Sequence, residues 1–100
     1  MKVVYTALAQ QHLTDLHSFI SLRANEDRAD DYIDRIVAFC DGLATFPLRG
    51  MARDDILPGL RVTGFERRVT IAFIVTDDAI LVEGVFYGGR DFAALLGDRR

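Results

Sequence analysis

Apolar and polar positions follow two periods along this chain, and the change of period divides it. From residue 60 onward the period is two. Residues 60–65, 69–75 and 80–87 are apolar runs rich in β-branched and aromatic side chains, parted by Glu66-Arg67-Arg68 and by Thr76-Asp77-Asp78-Ala79. Runs of this kind predict strands, and polar breaks of this length predict hairpin connections. In the second run Val69, Ile71, Phe73 and Val75 share one face, and Thr70, Ala72 and Ile74 the other. Strict alternation puts Ile80, Val82 and Phe86 of the third run opposite Leu81 and Val85, so that strand is apolar on both faces. Such a strand belongs near the middle of a sheet.

Upstream the period is helical. Leu8, Ala9, His12, Leu13, Leu16, Phe19 and Ile20 fall on one arc of a predicted helix over 7–22, with Thr6 as N-cap. Ala29, Tyr32, Ile33, Ile36, Val37, Phe39, Cys40, Leu43 and Ala44 do the same for a second helix ending near 44. Asn25 is its N-cap, and Glu26 and Asp27 lie in its first turn, where the helix dipole favours them. Phe46-Pro47 stops it. Residues 2–5 form a short β-like run expected at a sheet edge or beside the third strand. Residues 47–59 are one long connection, and 91–97 suit one or two helical turns with Asp91 as N-cap. The order is β-α-α-β-β-β over a single domain, residues 1–100. An αα-hairpin packs on one face of a small, mainly antiparallel sheet, giving an α+β fold. The hairpin covers one face only. Ile74 and one apolar set of the third strand are therefore expected on the other, covered in part by Phe92, Leu95 and Leu96, with the remainder a docking patch. Arg61 and Arg90 are expected on that same face, and sheet edges invite strand addition.

Composition narrows the function. The net charge is −3, with no basic tail. Proteins that grip nucleic-acid backbone carry a basic surplus, so direct DNA binding by this chain alone is not expected. Arginine supplies all the basic side chains except Lys2. One cysteine, Cys40, allows no internal disulfide and fits a reducing cytoplasm. Met1-Lys2-Val3-Val4-Tyr5 gives way at once to polar residues and does not read as a secretory signal, and no apolar run is long enough to span a bilayer. His12 lies inside the first apolar arc and His17 at its edge, and their spacing does not bring both to one metal. Cys40 reads as a packed thiol. Asp30, Asp31, Asp34 and Asp41 read as a solvated helix face, and Gly88-Gly89 fits no phosphate loop. No cofactor or metal is implied.

Several stretches, in this order and spacing, resemble the RelE/ParE superfamily of type II toxins, and within it the ParE branch. They are Ala9, Asp15-Leu16 and Ile20; Ala29, Tyr32-Ile33 and Ile36; Leu43-Ala-Thr-Phe-Pro47-Leu-Arg-Gly50; Pro58-Gly-Leu-Arg61; Arg68-Val-Thr-Ile-Ala-Phe73; and Val85-Phe-Tyr-Gly-Gly-Arg90-Asp91. The resemblance implies a toxin encoded beside a small antitoxin, typically a ribbon-helix-helix ParD-like protein whose tail wraps the toxin in a hetero-oligomer. ParE-type toxins poison DNA gyrase by binding it. RelE-type toxins cleave mRNA on the ribosome, which needs a general base, a general acid and cations at the phosphate. Arg61, Arg68 and Arg90 match arginine positions of the RelE pattern, and Tyr87 is the one tyrosine near them. The lysines before Arg61 and a Tyr or His after Arg90 are missing, so binding is favoured over enzymatic RNA cleavage. A non-toxic antitoxin-binding module is the third alternative. The residues expected to hold the antitoxin are Arg61, Arg68, Ile74, Leu81, Val85, Tyr87 and Arg90, the arginines by forks onto carboxylates.

Overall fold

A computed structural model describes residues 1–89 together with Ala93 and Leu96. Its elements run β1 (Lys2–Tyr5), α1 (Ala7–Arg23), α2 (Glu26–Gly42), β2 (Met51–Ala52), β3 (Leu60–Phe65), β4 (Val69–Val75) and β5 (Ala79–Tyr87). Both predicted caps form: Thr6 Oγ1 accepts from the Ala9 amide at 3.1 Å and Asn25 Oδ1 from the Arg28 amide at 2.9 Å. The sheet order is β1-β5-β4-β3-β2. Only the β1–β5 pairing is parallel, from Lys2 against Ala79 to Tyr5 against Val82, so β1 is both an edge strand and the neighbour of the third long strand. The two-residue β2 lies inside the 47–59 connection and pairs with Arg61 and Val62. Two residues carry no readable period, which is why the sequence pattern does not reveal it.

The helices pack on one face of the sheet. Ala9, Leu16, Ile36, Cys40 and Leu43 meet Val69, Ile71, Phe73, Ile80, Val82 and Val85 in the main core. Strict alternation fails on β5. Ala72 pairs with Gly84 but Phe73 with Val82, so Glu83 stands outside the ladder as a β-bulge. The extra residue reverses the faces of everything after it. Val85 joins Ile80 and Val82 beneath the helices at 3% exposure, and Phe86 turns to the opposite face. The expected grouping of Phe86 with Ile80 and Val82 is corrected accordingly. A glycine within a strand often marks such a bulge, and Gly84 has a second role. A β-carbon there would come within 2.5 Å of the Phe86 ring.

The opposite face is better covered than the sequence suggests. Ile56, Leu60, Ala72, Phe86 and Leu96 are buried there, with Leu8, Leu57, Val62, Ile74 and Ala93 packed against them. The 47–59 connection supplies Ile56 and Leu57, and Ala93 and Leu96 are helical. Phe92, Leu95 and Asp91, assigned to this cover and its cap, lie outside the described residues. The sheet edges are also short. At β1 the Tyr5 carbonyl accepts from Gln10 Nε2 at 3.0 Å; at the opposite edge β2 covers only Arg61 and Val62, so among the described residues Thr63, Gly64 and Phe65 of β3 are the backbone left there for strand addition.

Beyond the end of β1, α1 takes over the edge of β5. Thr6 Oγ1 donates to the Glu83 carbonyl at 3.2 Å, and the Val85 amide donates to His12 Nδ1 at 3.0 Å. His12 is buried, its ring 4.8 Å from that of Phe86. The sequence places it in the core, and the structure adds that it replaces a missing strand partner. Cys40 is fully enclosed, and burial pushes its thiol up to about 11. The enclosed Tyr5 hydroxyl beside it makes no hydrogen bond among the described residues, and burial first, then Cys40, raises it above the ordinary phenol range. At pH 8 a thiol with that pKa is only about one part in a thousand thiolate. Native protein is therefore expected to leave a thiol-reactive dye uncoloured, with full reaction only in denaturant. Prompt reaction of the folded protein would contradict the packing.

Candidate functional site

The β3–β4 hairpin turns through Glu66 and Arg67 at φ 47° and 65°. Both lie in the left-handed region, which turns of this kind usually fill with Asn and Gly. The tip is held over α2 by Arg35, whose Nε and a terminal nitrogen each donate to a Glu66 carboxylate oxygen at 3.0 Å. Arg35 also bonds Asp31 one helical turn back and lies 5.1 Å over the Tyr32 ring. The Arg35 hydrogen bond holds the Glu66 carboxyl below its ordinary value, and Glu66 in turn raises Arg35. The strained tip thus has a fixed position.

A cleft of about 570 Å³ opens beside this clamp, lined by Ile20, Ala24, Asp27, Arg28, Asp31, Tyr32, Arg35, Arg68 and Tyr87. The C-terminal end of α1, the first half of α2, the β3–β4 turn and the end of β5 build it. Residues 28, 32 and 35 recur at helical spacing, so α2 presents them as one stripe. That spacing is legible in the sequence, although no motif singles it out. Arg28 and Arg68 form no ion pair among the described residues. Tyr32 is raised, by burial first and the Glu66 charge second, so its hydroxyl stays protonated at neutral pH. Neither histidine nor lysine lines the cleft. Its chemistry is two available guanidiniums and two tyrosines over an apolar floor, with the Asp27 carboxylate at one side and Asp31 paired to Arg35; the guanidiniums suit a peptide carrying carboxylates and apolar side chains.

The seven residues expected to hold a partner do not converge. Arg68 and Tyr87 meet in this cleft. Arg61 pairs with Phe73 and so lies on the helix side of the sheet, contrary to the expected face. Its guanidinium donates to the carbonyls of Leu48 at 2.6 Å, Arg49 at 3.1 Å and Gly50 at 3.2 Å, an intramolecular role that competes with a partner's carboxylate. Val85 is buried under the helices and contributes only to the floor of a hollow shared with Phe19 and Tyr87. Ile74 and Leu81 are half-buried neighbours on the opposite face, in one row with Val4. Arg90 lies outside the described residues. Glu66, the carboxylate nearest Arg68 in sequence, is taken by Arg35. Among the described residues no cluster of three or more His, Cys, Asp or Glu side chains could hold a metal, and no helix is long and apolar enough to cross a membrane.

Comparison with known proteins gives this geometry a family. The family model for the ParE toxin of the type II toxin-antitoxin system, parDE, matches residues 3–92. The chain belongs to the ParE toxin family. A solved chain from the chromosomal ParDE TA system of P. aeruginosa is similar at 20% identity, with a TM-score of 0.75 over 88% of this chain and 96% of that one. At that identity the likeness bears on the fold, which it supports as the two-helix, mostly antiparallel ParE arrangement. Among curated proteins no match is found. As a ParE-family chain this is a type II toxin, and the cleft beside Arg68 is its most chemically distinctive surface.

Proposed function

We propose that this ParE-family toxin acts by binding DNA gyrase rather than by cleaving RNA, and that the tail of a ribbon-helix-helix ParD-like antitoxin neutralises it in a cytoplasmic hetero-oligomer. The observation that carries the reading is the cleft. Arg28 and Arg68 stand without carboxylate partners among the described residues, flanked by Tyr32 and Tyr87. An acidic, amphipathic tail complements that lining. The half-buried row of Ile74 and Leu81 on the opposite face is a second, separate contact in this reading. An RNA-cleaving mechanism has less to work with. Arg61 is occupied by three backbone carbonyls, and the cleft offers no imidazole to serve as acid or base.

Charge reversal tests the antitoxin half. Arg28→Glu with Arg68→Glu is expected to weaken antitoxin binding by at least about a hundredfold by calorimetry, since each lost charge-assisted bond is worth about 1.5–3 kcal/mol. Both side chains lie outside the core, so the thermal midpoint should hold. Unchanged affinity would remove the cleft from the interface. The target half is read separately: purified toxin at micromolar concentration is expected to inhibit gyrase supercoiling and build up cleaved complex, and codon-linked mRNA cuts without gyrase inhibition would reverse it.

A further inference from the structure

Phe46, Leu48 and Met51 are 65%, 74% and 65% exposed. Three large apolar side chains within six residues are unusual on a surface unless something covers them. Hydrogen bonds fix the backbone that carries them. The Phe46 amide donates to the Gly42 carbonyl at 3.2 Å, the Arg49 amide to the Phe46 carbonyl at 3.2 Å, and Arg61 ties down the carbonyls of Leu48, Arg49 and Gly50. Arg49 lies 4.9 Å over the Phe39 ring and forms no ion pair among the described residues. The hydrophobic positions of this turn are thus presented in one fixed arrangement beside an available cation, which lowers the entropy cost of docking.

We infer that the 45–51 turn is the toxin's target-facing surface, taken by a folded protein that presents apolar side chains flanked by Asp or Glu. The inference rests on the toxin reading above. Position separates this surface from the antitoxin cleft. The hollow in the turn, about 660 Å³, is lined by the five consecutive residues Thr45, Phe46, Pro47, Leu48 and Arg49. None of them lines the cleft, which draws on α1, α2, the β3–β4 turn and β5. The cleft ends along α2 at Arg35 and the turn follows Gly42, so at ~1.5 Å per residue about 10 Å of helix lies between them. Charge decides among other occupants. A second copy docked across a two-fold axis would set Arg49 near its own mate. Nucleic acid would set phosphates against three apolar side chains on a protein of net charge −3.

The test compares Phe46→Ser/Leu48→Asp and Arg49→Glu with the unaltered toxin, expressed with and without antitoxin. Both variants are expected to need at least about tenfold more toxin for growth arrest, the scale of losing an interface anchor, while antitoxin affinity stays within about twofold. Growth arrest at unaltered potency would overturn the inference. So would a tenfold loss of antitoxin affinity, which would give the turn to the antitoxin. Thermal unfolding of each variant confirms that the fold is intact, and Leu48→Gln alone, at the most exposed of the three positions, carries the comparison if the double variant unfolds. Failure of the unaltered chain to arrest growth would instead overturn the toxin reading itself, a result distinct from the others.

Discussion

Gly50→Ala is expected to destabilise the protein by about 2–4 kcal/mol, among the larger effects a single residue can have. Gly50 sits at φ +79°, and an added β-carbon would lie 2.2 Å from the Val62 carbonyl oxygen. The conformational penalty alone is about 1–2 kcal/mol, and the contact is with backbone of a paired strand, which cannot turn aside as a side chain would. Either β2 leaves β3 or the turn reopens, and both loosen the three carbonyls that Arg61 holds. For a domain of this size the midpoint should fall by roughly 10–20 °C, with amide exchange accelerated first at Met51 and Arg53. A shift below about 3 °C would show that the turn relaxes without cost, and would weaken the case that it is a fixed platform. Gly64 is the internal control. A β-carbon there meets nothing within 4 Å, so Gly64→Ala should change stability little.

His12→Ala is the second large effect, about 3 kcal/mol. The substitution strands the buried Val85 amide, worth about 1–3 kcal/mol, and removes an aromatic contact with Phe86 of about 0.5–1.5 kcal/mol. His12→Gln should recover part of the loss, because a side-chain carbonyl can accept from the same amide. Histidine's contribution here comes from an unprotonated Nδ1, since an imidazolium nitrogen cannot accept a bond. Chemical denaturation of the three proteins measures this directly. Equal losses for alanine and glutamine would mean that packing, not the hydrogen bond, holds α1 on β5.

How much of this was legible in the sequence depends on the range of the interaction. The strands 60–65 and 69–75 and both helix starts follow from period and capping, which are local. Cys40 and His12 fall inside apolar arcs and are core residues. The bulge at Glu83 is not local, since one extra residue in β5 is defined only against β4. Strict alternation therefore predicts Val85 on the docking face and Phe86 beneath the helices, the reverse of what the bulge produces. Gly84 was the available warning. Arg61 shows a different limit. An exposed-looking arginine in a strand reads as a surface charge, and only the return of the chain at residues 48–50 reveals that backbone carbonyls satisfy it. The cleft combined both situations: Arg68 and Tyr87 were singled out, but Arg28, Tyr32 and Arg35 reach them only because the hairpin tip is clamped over α2.

The parallel pairing of β1 with β5 also constrains when the molecule can exist at all. Lys2 is in register with Ala79, 77 positions later. β5 lies between β1 and β4, so no shorter nascent chain can seat its first strand or close the main core. Contacts of that sequence separation slow folding, and α1, whose His12 needs the Val85 amide, must wait as well. A translating ribosome adds about 5–20 residues per second, so the chain spends seconds as an unclosed hairpin before either the cleft or the 45–51 turn has its final form. Synthesis itself therefore delays activity, and a partner made at the same time has that interval in which to accumulate.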